Sequence, residues 1–554
     1  MSSLDDDDIR VVVSVDFGTT YSGYAYAHKS NPRDIIVQDN WDELEGGHYK
    51  TPTVIKYDES YTIVKSWGFP ALAEKPSNKK KSSHLSKPIE LFKLHLLKDL
   101  SNGKPFLPEG LDFKQVITDY LKNLCEMIKS DASHWQYLDF YNQVLIILTI
   151  PSEFDDDAIS IMRECAFNAG LTKELFSRNL RFTTEPEAAA VYCLNSIEEQ
   201  YNLSAGASFM IVDCGGGTVD LTTRQLLNGN KMSEITERTG DNCGSSFVDQ
   251  EFVKFLGRKL GKSTIELLKE NHYGLLQYIV QEFCRRVKLP FTGKESDFQQ
   301  FDIDLDDYKL IKQYVNGEEK DRLEESDWSI EIQFEDAKTM FDPVIGKIIR
   351  LIRGQLEKSN EKCSALMLVG GFSESKYLQT RIKQEFGKVV PNISVPIQPM
   401  IAVIKGGVQF GLQPEKVVNR VLKRTYGTDA ARASQLGDPI SEKFPNGLTI
   451  IFDALARRGD QVLANKTVTK TFEPCSLMQQ KVGFNMYVTK GTDAKFCNDP
   501  GVSLLRKWEI KLPENENFEN TIILFTLTFG TVEILATAEN QKTGDRYHVT
   551  FKCE

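Results

Sequence analysis

Short apolar runs that end in an acid or a proline alternate, through Leu412, with longer stretches of helical spacing. Residues 11–16 and 22–27 read as two strands around a Gly-Thr-Thr turn. Residues 143–150 form a near-continuous apolar run stopped by Pro151, as expected of a strand buried on both faces. Residues 155–169 open with acids and end at Gly170. The carboxylates offset the positive end of a helix dipole, and glycine suits the cap. Residues 208–222 read as a second hairpin, and 365–369 as a strand that runs through Gly370-Gly371 into a helix. This alternation specifies an α/β class. After Leu412 the texture changes: residues 448–452, 467–472, 481–488, 508–512, 521–528 and 532–538 look like successive strands with no long amphipathic helix among them. A β-rich domain is expected there.

Two stretches echo each other. Val-Val-Val-Ser-Val-Asp16-Phe-Gly18-Thr19-Thr20 resembles Phe-Met-Ile-Val-Asp213-Cys-Gly215-Gly216-Gly217-Thr218. In each, an apolar strand ends in aspartate, a glycine-bearing turn follows, and a second strand leaves. Two copies of one α/β unit facing each other would form a cleft lined by similar hairpins; two unrelated turns with capping aspartates are the alternative. In the first reading, glycine lets backbone N–H groups approach phosphate oxygens with no Cβ in the way, and successive amides form an anion nest. Thr19, Thr20 and Thr218 add hydroxyl donors. Asp16 and Asp213 would repel the same phosphates unless a hard cation lay between, which implies Mg2+ held through its waters.

Composition narrows the classes. A chain of 554 residues exceeds what one core holds, so several domains are expected. A net charge of −11 argues against a nucleic-acid partner. Ten scattered cysteines, with no Cys-x-x-Cys pair and no histidine at ligand spacing, read as reduced core thiols rather than a metal centre. The N-terminus has neither a basic nor an apolar signal region, and the apolar runs are far shorter than a membrane span. A cytoplasmic protein is expected. Residues 76–88, with Lys79-Lys80-Lys81, read as a solvated basic loop, and acidic residues 293–325 as a surface insertion.

At these motifs the chain resembles the nucleotide-binding half of the 70-kilodalton heat-shock chaperone family. Asp16-Phe-Gly-Thr-Thr-Tyr21-Ser is similar to its first phosphate motif and Asp213-Cys-Gly-Gly-Gly-Thr-Val-Asp220 to its second. Thr149-Ile-Pro151-Ser-Glu-Phe-Asp, Gly170-Leu and Thr184-Glu185-Pro186-Glu-Ala-Ala-Ala190 resemble its connecting motif. Val369-Gly370-Gly371-Phe372-Ser-Glu looks like its adenosine motif, and Pro399-Met-Ile-Ala-Val-Ile-Lys-Gly406 like its last nucleotide-domain helix. The likeness covers about residues 10–412, and it fits best the atypical, lid-less branch of the family.

The resemblance implies an actin-like ATPase fold, built of duplicated ribonuclease-H-like domains, with a C-terminal β-rich domain. It implies an N-terminal acidic, disordered segment 1–9, subdomains at 10–207 and 208–412, a linker at 413–420, and a β-domain without helical lid at 421–554. It implies ATP or ADP with Mg2+ as cofactors. Lys93 would reach the γ-phosphate, Glu185 with Asp213 would orient the attacking water and the metal shell, and Thr218 would position the phosphate. Asp16, Gly18, Thr19, Thr20, Tyr21, Gly215, Gly216 and Gly217 would cradle the phosphates. Lys288, Gly370, Gly371 and Phe372 would face the adenosine.

The departures are specific. Glu374 stands where the family has a base-stacking arginine, Met400 replaces an acid, and only Lys288 survives in the base-contacting helix. Losing a cation–π contact costs about 0.5–2 kcal/mol, less than several charge-assisted bonds to phosphate at about 1.5–3 kcal/mol each, so nucleotide binding is expected to persist. Pro151 is kept as the switch proline, Ile159 stands where an arginine is usual, and Arg163 is a candidate relay. The usual apolar linker is replaced by Gln413-Pro-Glu-Lys-Val-Val-Asn-Arg420. Two functions are expected to compete. One is slow Mg-dependent ATP hydrolysis coupled to polypeptide clients, with cochaperones, through the β-domain. The other is a nucleotide-sensing scaffold with negligible turnover whose β-domain docks a protein partner. A metabolite kinase lacks a base for an acceptor hydroxyl.

Overall fold

The structure, a computed structural model, describes residues 8–41, 47–73, 87–98, 103–201, 203–359, 361–464, 466–472, 481–511, 522–529 and 532–550. The first seven residues of the acidic N-terminus and Lys79-Lys80-Lys81 lie outside the described residues.

The echo in the sequence is a repeated sheet. Val11–Asp16 pairs antiparallel with Tyr21–His28 and parallel with Val144–Ile150, which in turn carries Leu180–Thr184 in parallel. Ser208–Cys214 repeats the arrangement, antiparallel to Val219–Leu227 and parallel to Cys363–Val369. Register places Asp16 opposite Gly23 and Thr149, and Asp213 opposite Asp220 and Val369, so Asp16 ends the inner strand of its sheet and Asp213 stands one residue before the end of its own. Val11–Asp16, Val144–Ile150 and Ser208–Cys214 are buried along their whole length, which is why they read as continuous apolar runs rather than alternating ones.

Helices Glu185–Tyr201 and Ala402–Leu412 lie between the two sheets, in a core shared with Val12, Ile147, Ile211 and Val369. Their approach depends on missing side chains: a Cβ at Gly406 would lie 1.8 Å from the Ala188 carbonyl oxygen, and one at Gly407 2.0 Å from Ser14 Oγ. Packing this tight seats helix Ala402–Leu412 against helix Glu185–Tyr201 and strand Val11–Asp16. Helix Asp156–Asn168 begins as its sequence implies, with the Asp155 carboxylate accepting from the Ala158 N–H and Gly170 at a φ of 81° just past its end. The acidic insertion forms a small hairpin, Phe301–Asp304 with Ser329–Ile332, around two short helices.

Beyond residue 421 the chain is a β-sandwich. One sheet runs Leu448–Ala456, Thr425–Ala433, Lys481–Thr489, Val502–Lys511, and the other Lys466–Phe472, Ile523–Phe529, Ile534–Asn540, Arg546–Thr550. Phe484 of one sheet stacks on Phe525 of the other, ring centroids 5.2 Å apart. Residues of Ile523–Phe529 alternate between buried and half-buried, as expected of a strand with one face in the core. The α/β class and the β-rich C-terminal region agree with the sequence reading.

One segment differs from it. Within 413–420, expected as a linker, Val417–Val421 forms a strand of the second sheet, parallel to Lys231–Glu234 and antiparallel to Gln461–Leu463. Polar partners hold it: the Asn419 carboxamide oxygen accepts from the Glu234 N–H at 2.7 Å, and Arg420 Nη2 donates to Glu187 at 2.6 Å. A strand fastened by buried polar groups carries no hydrophobic alternation to announce it.

Candidate functional site

The two glycine turns meet. A Cβ at Gly216 would stand 2.0 Å from Thr20 Oγ1, and one at Gly217 2.5 Å from Thr19 Oγ1. Only glycine at those positions lets the two halves face each other at van der Waals distance. The carbonyls of Gly215, Gly216 and Gly217 are held from behind by the N–H groups of Ser245, Ser246 and Gly244 at 2.8–3.1 Å. Among the described residues no acceptor meets the N–H groups of Gly216 and Gly217, the donors an anion nest requires. Gly18 has a second role: its Cβ would collide with the Tyr21 carbonyl oxygen at 2.1 Å, so the first turn itself requires it.

Four buried carboxylates converge behind these turns. Asp16 Oδ2 accepts from Lys50 Nζ at 2.6 Å, and Glu185 Oε1 from Lys93 Nζ at 2.8 Å. Lys93 is buried and also lies over the rings of Phe17 and Phe154. Among the described residues Asp213 has no ion pair. Burial pushes its carboxyl well above the usual range, reinforced by Glu185, Asp220 and Asp16 and partly offset by Lys50. Burial likewise raises Glu185 against the pull of Lys93. Asp220 is pushed up to about 7 by burial, then by Glu185 and Glu153, while the Ser152 N–H at 2.8 Å and Thr218 draw it down. Thr218 is thus buried beside Asp220.

The adenosine motif closes on the same point. Gly370, at a φ of 81°, donates its N–H to the Pro399 carbonyl at 2.9 Å, and a Cβ on it would lie 2.4 Å from Asp213 Oδ1. Gly371 faces Met400, whose Cε would be 3.7 Å from an added Cβ. Phe372 differs from the expectation: its ring is buried in the core near Phe341, so that side chain does not face the cleft. Helix Tyr273–Phe283 passes into a π-helical turn, Cys284–Lys288, that aims Lys288 at Asp249, Nζ to Oδ1 2.7 Å. Tyr21, half exposed at its ring, has its phenol raised by burial and then by Cys284 and Asp249, with Lys288 opposing. The first-half and second-half candidates are therefore neighbours across the cleft. Glu374 is exposed, and partial desolvation raises its carboxyl.

Sequence reading missed Lys50 and Asp249, which carry no local motif, and gave Asp220 no role although it ends the second phosphate motif. It also missed the link to the β-sandwich. Glu187, two residues after Glu185, accepts from Arg224 at 3.0 Å, from Arg420 at 2.6 Å and from Thr183 at 2.8 Å; those guanidinium groups hold its carboxyl far below the usual range. Farther out, Arg163 makes a bidentate pair with Glu533 of the sandwich, at 2.7 and 2.6 Å. A cavity of about 520 Å³ lies beside this junction, between Pro151–Asp156, Arg238, Arg424 and Val532. It is distinct from the carboxylate cluster.

Among the described residues no group of three or more His, Cys, Asp or Glu side chains is placed to hold a metal directly, and no helix is long and apolar enough to cross a membrane.

No protein-family model matches the chain. It is 27% identical to mouse (Mus musculus) heat shock 70 kDa protein 12A, over 95% of this chain and 89% of that protein. To human (Homo sapiens) heat shock 70 kDa protein 12B it is 25% identical, over 96% and 89%. A chaperone protein HscA homolog of Aliivibrio fischeri is 22% identical over 80% of this chain and 64% of that protein. With homology along nearly its whole length to heat shock 70 kDa proteins 12A and 12B, and two Asp–Gly hairpins face to face in duplicated sheets, this chain is similar to the 70-kilodalton heat-shock proteins and has an actin-like ATPase fold with a β-rich region.

Proposed function

We propose that this chain binds ATP or ADP between the two turns, hydrolyses ATP slowly, and couples the bound nucleotide to polypeptide clients or a protein partner at the β-sandwich, with cochaperones assisting in the cytoplasm. On this reading residues 10–207 and 208–412 are the two halves of the nucleotide domain and 421–554 the partner domain. The observation that carries it is the contact of Gly216 with Thr20 and Gly217 with Thr19 in front of Glu185 and Asp213.

The Gly216 and Gly217 N–H groups and the Thr19, Thr20 and Thr218 hydroxyls would donate to phosphate oxygens. Lys93 would turn from Glu185 toward the terminal phosphate, freeing the Glu185 carboxylate to accept from the attacking water together with Asp213. Asp213 suits a hydrated Mg2+, being buried with no cationic partner among the described residues; Asp16 is already paired with Lys50. When bound, the ion supplies charge neutralisation on the polyphosphate. These groups would act by positioning the water and neutralising charge rather than by strong base catalysis, which accords with slow turnover. Glu187 joins Glu185 to Arg420 of the strand that leads into the sandwich, a rigid route from the nucleotide to the partner domain.

The pairing of Glu185 with Lys93 at 2.8 Å also favours a second reading, a scaffold that binds nucleotide without turning it over. A single-turnover assay with labelled ATP separates the two. Phosphate release above buffer that falls at least about tenfold in Glu185→Ala supports hydrolysis. Release no faster than buffer, with ATP bound, assigns the chain to the scaffold reading.

A further inference from the structure

The cation that faces Asp16 is built into the chain. Lys50 enters the cleft beside the short edge strand Thr51–Pro52, which pairs with Tyr21–Ser22. Its Nζ lies 2.6 Å from Asp16 Oδ2, with the two side chains only 9% and 6% exposed. The other carboxylate oxygen accepts from Thr149 Oγ1 at 3.4 Å.

Two further contacts hold Lys50 in place. Gly23 leaves a groove for it: a Cβ there would lie 3.1 Å from Lys50 Cγ and 2.9 Å from the Tyr49 carbonyl oxygen. Gln398 Nε2, from the segment before Pro399, donates to the Tyr49 hydroxyl at 2.9 Å and ties the lysine's neighbour to the second half. Lys50 also offsets a small part of the rise that burial imposes on the carboxyls of Glu185, Asp213 and Glu374.

The ammonium at 2.6 Å takes one acceptor site of Oδ2 and already neutralises the carboxylate, so a hydrated cation has less charge to gain there. A hydrated cation at Asp16 would share the carboxylate with the Lys50 ammonium and be repelled by it. Charge-assisted bonds of this kind are worth about tenfold to a hundredfold in an equilibrium constant. The two lysines and two of the carboxylates already cancel one to one, Lys50 with Asp16 and Lys93 with Glu185, before any ion arrives.

We infer that Lys50 takes over at the Asp16 turn the charge-neutralising role of a divalent cation and offers its ammonium to the phosphates, so that this chain binds nucleoside di- or triphosphates with divalent cations removed. This rests on the nucleotide-binding reading above and deepens it. It leaves Asp213 as the one carboxylate of the pair toward which a cation could still add its effect, on turnover rather than on binding.

Calorimetric titration of ADP and ATP into the whole chain tests it, first with Mg2+ and then with excess chelator, for wild type and Lys50→Gln. In wild type, affinity is expected to fall less than about fivefold on chelation, whereas in Lys50→Gln it falls at least about thirtyfold, since the variant depends on the ion it lacks. Wild-type binding that falls about thirtyfold or more in chelator overturns the inference and leaves the nucleotide-binding reading standing. Lys50→Gln binding as well as wild type in chelator also overturns it. Absence of binding by wild type under both conditions overturns both. The wild-type titration decides without the variant, whose folding is checked by thermal melting.

Discussion

The Asp16 turn and the Asp213 turn share a backbone plan and differ in charge. Each follows the inner strand of its sheet, faces its counterpart through glycine, and carries a buried aspartate at or next to the strand's last residue. Asp16 has an ammonium at 2.6 Å. Asp213 has no ion pair among the described residues and is pushed well above the usual carboxylate range by burial and by three neighbouring acids. The two turns therefore share a backbone and differ in what their aspartates meet: one is satisfied by a lysine of the protein, the other is buried with no cation paired to it among the described residues. Buried groups held without their partners are where catalytic sites store such cost.

The widest gap between the turns is expected from removing each charge. Asp16→Asn strands the buried Lys50 ammonium and should cost about 3 kcal/mol, read as a lowered melting temperature at neutral pH. Asp213→Asn removes an unpaired buried carboxylate and should leave stability unchanged or raise it by about 1 kcal/mol, while hydrolysis is lost. Equal losses in the two variants would erase the comparison. A smaller difference is expected between the glycines. In Gly18→Ala the new methyl meets the Tyr21 backbone oxygen at 2.1 Å, which cannot yield, and the variant should lose about 2 kcal/mol. In Gly216→Ala it meets Thr20 Oγ1 at 2.0 Å and Thr20 Cβ at 2.8 Å; rotation relieves the first and a small parting of the turns the second, so stability should drop by about 1 kcal/mol while nucleotide affinity weakens.

The smallest effect is the pH dependence on the Asp213 side. Asp220 titrates at about 7 in the folded chain against an ordinary value of 3.8, so the folded state holds its proton more tightly. Its contribution to stability is full below the ordinary value and is lost as pH rises toward 7. Melting temperature followed from pH 5 to pH 8 should fall less steeply in Asp220→Asn than in wild type; parallel profiles would show that Asp220 does not titrate in this window.

Much of this arrangement is legible in the chain because its signals are local. An apolar run ending in aspartate before glycine marks each turn, and threonine beside it marks the donors. Lys50 is illegible for the opposite reason: nothing within several residues of it points to Asp16, and only the pairing of Thr51–Pro52 with Tyr21–Ser22 brings them together. Glu187 looks like an ordinary acid in the first turn of a helix, where the dipole gives it sufficient local reason. Its partners Arg224 and Arg420 lie far along the chain. The strand Val417–Val421 is hidden because Asn419 and Arg420 are buried by hydrogen bonds rather than by hydrophobicity, and Thr425–Ala433 because small residues blur its alternation. Phe372 misleads: it sits in a glycine-bearing turn, and its ring belongs to the core.

The central claim is that the facing turns grip phosphate. Titration of ATP with Mg2+ into the whole chain, compared with Gly216→Val, addresses it most directly, because the new side chain would begin 2.0 Å from Thr20 Oγ1, inside the grip. The account expects one saturable site in wild type and affinity at least about a hundredfold weaker in the variant. No saturable binding in wild type, or equal binding in a folded Gly216→Val chain, would contradict it.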